Sequence, residues 1–150
     1  MALFNPSRDE VRQFFFDAWA KFKQKQSTLT DLEKMAVGIM HMHPEYHVIL
    51  DQPEHYLAQA YYPEMGETNP FLHMSLHLSI QEQISINQPI GITQAYGKLC
   101  TRFQQEHEAQ HALLECLAET IWLAQRNQTG LDAAHYLQLI EQRAGIEPTA

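Results

Sequence analysis

Seven of the nine histidines in this 150-residue chain fall into three groups: His41, His43 and His47; His73 and His77; His107 and His111. The last two groups are His-x-x-x-His pairs. On an α-helix that spacing stacks both imidazoles on one face, a turn apart. Two such pairs on facing helices would close a cage of four imidazoles inside a bundle. The chemistry such a cage performs is ligation of a transition metal ion: zinc, iron, nickel or manganese.

Helical geometry says which rings face the core. With His73 at 0°, His77 falls at about 40°, Ile80 at about 340° and Ile84 at about 20°. Both rings therefore share the apolar face, where a polar group needs a partner. Glu82 lies about 180° away on the same wheel. On the later helix, with His107 at 0°, His111 is at about 40° and Glu115 at about 80°, beside the stripe Leu99, Phe103, Leu114, Leu117 and Ile121. His107, His111 and Glu115 thus form a second ligand diagonal. Glu108-x-x-His111 has the spacing of carboxylate-bridged di-iron bundles, but those use two such motifs and this chain has one.

His43 and His47 straddle Pro44. Either can add a ligand or support another imidazole. The candidate set is His73, His77, His107 and His111, with Glu115, His43 or His47 completing it. Tetrahedral zinc takes four ligands, so some of these residues are structural or the site holds two metals. A metal with an open position would activate water, making metal-dependent hydrolysis the reaction class. The competing reading is a non-enzymatic helical interaction module. Its histidines would bond carbonyls and carboxylates, and a protein partner would meet Tyr56, Tyr61 and Tyr62. On either reading the partner is a small molecule or a protein.

The elements that must position these groups all read as helices. Ser7 with Glu10, and Thr30 with Glu33, are capping boxes that start two helices. The first carries Val11, Phe14, Phe15, Ala18, Trp19 and Phe22 on one face. The second carries Leu32, Met35, Ala36, Ile39, Met40 and then His43, with His41 turned away. Pro44 ends that helix and opens a short one through His47 and Leu50. Pro53 opens another, through Tyr56, Leu57 and Tyr61. Asn69-Pro70 caps and starts a helix to about Asn87, apolar nearly all round and so central. A long stretch from about Thr93 to Asn127 follows, bent at about Gln104. Asp132 caps the last helix, Ala133 to Gln142. The expectation is an all-α, single-domain bundle of five or more helices over residues 1–150.

Composition excludes several classes. Hydrophobic residues make up 45% of the chain, with six glycines and seven prolines, a globular and helix-favouring balance. The formal charge of −8 gives no general reason to bind phosphate backbones, so nucleic acid is not expected as a partner. Lys21, Lys23 and Lys25 read as a solvated helix end. Two cysteines, Cys100 and Cys116, are too few for a disulfide framework. No apolar run reaches the roughly 20 residues that span a bilayer, and the first residues lack a leader pattern. A cytoplasmic location and no membrane contact are expected. No nucleophile elbow or glycine-rich phosphate loop is present. Glu119, Trp122, Gln125 and Arg126 read as a half-buried surface.

The strings His43-Pro44-Glu45-Tyr46-His47 and Asn69-Pro70-Phe71-Leu72-His73 carry a resemblance. So do His77, Glu82-Gln83, His107, His111, Glu119, Trp122 and Gln125-Arg126. Together they resemble an uncharacterised family of small bacterial proteins, catalogued as a domain of unknown function. The resemblance covers nearly the whole chain and implies a bacterial single-domain unit without assigning an activity. The histidine layout is also loosely similar to hemerythrin and to DinB-like metal-binding bundles. It departs from the hemerythrin order, which speaks against oxygen carriage.

Overall fold

A computed structural model describes residues 8–25, 28–62 and 65–145. Every regular element among them is helical. In order these are α1 (Arg8–Lys23), α2 (Asp31–Met42), a 3-10 turn (Pro44–Tyr46), α3 (His47–Leu50), α4 (Pro53–Tyr56), α5 (Pro70–Ile86), α6 (Ile92–Phe103), α7 (Glu106–Asn127) and α8 (Ala133–Arg143). The all-α expectation of five or more helices holds. No described helix is long and apolar enough to cross a membrane. The backbone packs as two compact units, Met1–Leu78 and Ser79–Ala150.

In the first unit, local chemistry sets the helix ends. The expected Ser7 cap lies outside the described residues. The Thr30 box is complete: the Glu33 N–H donates to Thr30 Oγ1 over 3.1 Å, and the Thr30 N–H donates to Glu33 Oε1 over 2.9 Å. Two donors at the helix end are satisfied reciprocally. Lys21 of α1 reaches the other oxygen of Glu33 over 2.8 Å. Asn69 Oδ1 accepts from the amides of Phe71 and Leu72, which starts α5.

Between these ends the apolar stripes meet. Phe15, Phe16, Ala18 and Trp19 of α1 pack with Ala36, Val37, Ile39 and Met40 of α2, Leu50 of α3, and Phe71, Met74 and Leu78 of α5. The rings of Phe16 and Phe71 meet edge to face at 5.4 Å. Leu72, expected on a covered face of α5, is instead 56% exposed. The first turn of α5 buries the Phe71 side of the helix, not the Leu72 side. The helix expected to run on to Tyr61 stops at Tyr56. The Tyr56, Leu57 and Gln59 carbonyls accept from the Arg12 guanidinium, so that stretch is held from outside.

In the second unit α6, α7 and α8 pack pairwise. Their buried side chains include Ile92, Leu99, Leu113, Leu117, Tyr136 and Ile140. The expected long bent helix is two helices. Gln104 adopts a left-handed conformation, φ 59°, and closes α6 by donating its amide to the Cys100 carbonyl over 2.8 Å. A right-handed helix does not continue through a left-handed residue. Gln105 then runs extended and caps α7. Asp132 caps α8 as expected, accepting from the His135 amide. Tyr136 donates to Gln83 over 2.7 Å, tying α8 to the second half of α5.

Candidate metal centre

His43 closes α2 and precedes the 3-10 turn at Pro44. Its backbone, φ −129° and ψ 69°, is not helical. The proline ring disfavours helical geometry in the residue before it. The chain therefore turns at His43, yet the ring stays inside, only 4% exposed. His73 and His77 lie one turn apart on α5, as their spacing requires. His77 is fully buried and His73 partly so.

These three rings converge. The His43 centroid lies 4.7 Å from that of His73 and 5.4 Å from that of His77, and His73 lies 5.6 Å from His77. One ligand nitrogen from each lies within 4.8 Å of the others. A tetrahedral ion with bonds of about 2.0–2.1 Å places its nitrogens about 3.4 Å apart. The first unit thus brings three imidazoles that could hold a metal ion into one small volume. Tyr46 stacks on His43 with a centroid distance of 5.1 Å, and walls that side. Burial first, then the neighbouring Glu45 carboxylate, push the Tyr46 hydroxyl above its ordinary range.

Sequence reasoning missed Glu45. Its Oε1 lies 2.9 Å from His43 Nδ1. Burial pushes this carboxyl up, but the hydrogen bond from His43 and the Glu45 amide together hold it below the usual range. An ionised carboxylate only accepts, so His43 Nδ1 carries the hydrogen. The lone pair of a neutral His43 ring is then on Nε2. That is the carboxylate–imidazole arrangement that orients a metal-binding histidine. The signal was present as His43-x-Glu45 across a proline.

The other candidates sit elsewhere. His47 Nε2 donates to the Met40 carbonyl over 2.9 Å, and the ring stacks on Trp19 at 4.5 Å. Trp19 in turn donates to Asp51 over 2.8 Å. His47 is therefore engaged as a packing strut. His41 is exposed, as expected, and meets Phe22 edge to face at 4.8 Å.

In the second unit, His107 and His111 lie one turn apart on α7 with centroids 4.2 Å apart. His107 is exposed and His111 partly buried. Glu115, the next residue on that diagonal, accepts from Arg143 of α8 over 2.6 Å. Trp122 is 55% exposed and lies under the Arg126 guanidinium at 5.3 Å. Glu119 and Gln125 are exposed too, so this surface is more open than expected.

No curated protein and no solved structure matches the chain. The model of one family, described as Domain of unknown function (DUF1841), matches residues 7–142. That span holds every histidine weighed above, and the chain belongs to this family.

Proposed function

We propose that this protein binds a transition metal ion through His43, His73 and His77 of the first unit. The observation that carries the reading is the convergence of three imidazoles, two of them buried, with ligand nitrogens within 4.8 Å of one another. The Glu45 carboxylate on His43 adds to it, because it presets the tautomer a ligand needs.

Three imidazoles leave the fourth position of a tetrahedral zinc ion open. A metal of higher coordination number, such as iron, nickel or manganese, keeps room for water. Such a water is the nucleophile of metal-dependent hydrolysis.

The test is elemental analysis of protein purified without an affinity tag and then equilibrated with each metal. One equivalent of metal per chain is expected. It should be lost in His77→Ala and kept in His47→Ala, which should instead cost roughly 1–3 kcal/mol of stability from the orphaned Met40 carbonyl and lost stacking. No stoichiometric uptake of any of the four metals, or full content in His77→Ala, overturns the reading.

A further inference from the structure

The outer face of α7 carries a large aromatic side chain between opposite charges. Trp122 is 55% exposed there. With Trp122 at 0°, Glu115 falls at about 20°, Arg126 at about 40°, Glu119 at about 60° and Gln125 at about 300°. These four are exposed as well. The opposite face is spent on the core of the second unit, through Ala109, Leu113, Cys116, Leu117 and Thr120. The Arg126 guanidinium lies over the indole at 5.3 Å. Glu115 is taken by Arg143 of α8 over 2.6 Å. Glu119 and Arg126 have no ion-pair partner among the described residues. They stand two turns apart, about 10.5 Å along the axis, and do not pair within the chain.

A lone exposed aromatic residue is common on protein surfaces. What distinguishes this one is the charge around it. Glu119 lies one turn before Trp122 and Arg126 one turn after, both on the same flank of the indole. Two antiparallel helices related by a two-fold axis perpendicular to both present the same flank to each other, in reversed order. With that axis at Trp122, Glu119 of one copy comes level with Arg126 of the other to within one residue, about 1.5 Å along the helix. The symmetry repeats the pair at the other end, and the two indoles meet between them. The face is therefore complementary to itself. Each copy carries a formal charge of −8, which opposes association. The local pairs act against that repulsion, and Trp and Arg are the residue types that carry most of the binding energy at protein interfaces.

We infer that the outer face of α7 is the interface of a two-fold symmetric dimer of this chain, closed by Trp122 against Trp122 and by two Glu119–Arg126 ion pairs between the copies. The face spans about three turns, small beside the roughly 1,200 Å² that stable complexes bury, so the dimer is weak and concentration-dependent. It stands independently of the metal reading, since it shares no residue with His43, His73 and His77.

Sedimentation equilibrium of the full chain, from about 5 to 500 µM in about 0.15 M salt, reads the association constant. A reversible monomer–dimer equilibrium is expected. Trp122→Ala should weaken it at least about tenfold, the scale of a central interface residue. Glu119→Arg and Arg126→Glu should each weaken it about tenfold, because each sets like charges opposite one another. The double variant Glu119→Arg with Arg126→Glu should return to within about threefold of the parent, since the pairs re-form with their signs exchanged. Net charge alone predicts the reverse for Glu119→Arg, because that chain is less negative and would associate more readily. All three positions are exposed, so the variants keep the parent's helix content, which circular dichroism checks. A chain that stays monomeric over the whole range overturns the assignment and leaves this face to a different partner. So does a dimer indifferent to all three single variants, or a double variant no tighter than the single ones. Assembly beyond two copies also overturns it, because a two-fold face closes at the dimer.

Discussion

The His43 imidazole donates Nδ1–H to the Glu45 carboxylate over 2.9 Å, across the proline that ends α2. His43 is buried, while the Glu45 side chain is 61% exposed. An exposed carboxylate thus orients a buried ring, so its charge can be removed with little change to the packing around that ring.

Glu45→Gln keeps the shape of that contact and removes its charge. Metal affinity is expected to fall roughly 10- to 100-fold, the usual cost of losing such an outer partner. The melting temperature of the metal-free protein should barely move. Competition against a chromophoric chelator measures the first quantity and a thermal scan the second. An unchanged affinity would remove Glu45 from the site.

Glu33 ties α1 to α2 and closes the capping box. The Lys21 hydrogen bond first, then the Thr30 amide, hold its carboxyl below the usual range. A depressed folded-state value means the unfolded chain binds the proton more tightly. The resulting stabilisation is present above the unfolded carboxylate range and fades as pH falls through the depressed folded value. Glu33→Gln keeps an acceptor for the Thr30 amide but loses the charge that meets Lys21, and should cost about 0.5 kcal/mol at pH 7, the scale of a partly exposed ion pair. The gap between variant and parent should close on acidification. Chemical denaturation at a series of pH values checks this. A gap that widens in acid would contradict the assignment.

Glu82 has the opposite sign. Burial alone pushes its carboxyl above the ordinary range, and its Oε1 is buried with no partner. Here the folded chain holds the proton more tightly, so stability declines as pH rises from the unfolded value through the folded one. Glu82→Gln removes the ionisation and should stabilise the protein at pH 7 by up to about 1 kcal/mol, the scale of one unsatisfied buried group. The gain should vanish below the ordinary carboxylate range. Melting temperatures of the pair at pH 4 and pH 7 decide it, and a destabilised variant at pH 7 would show that Glu82 has a partner when ionised.

The sequence by itself determined what depends on neighbours a few residues apart. The Thr30–Glu33 box, the Asn69-Pro70 start, the Asp132 cap and the stripe around Phe15 and Trp19 are set by periodicity and end chemistry. The inward turn of His73 and His77 follows from the 3.6-residue repeat. Tertiary structure decided what depends on where a chain returns. His43 joins His73 and His77 because the backbone turns at Pro44 and α2 and α5 share one core, which no helical wheel encodes. His47, four residues on, is taken by Met40 and Trp19. Glu45, read in the sequence only as part of a motif, becomes the partner of His43. Arg12 looks like one more polar residue of an amphipathic helix. Its burial depends on three carbonyls from a segment 44 to 47 residues away. A long flexible side chain takes its role from whatever the fold brings within its reach, and local pattern carries no information about that.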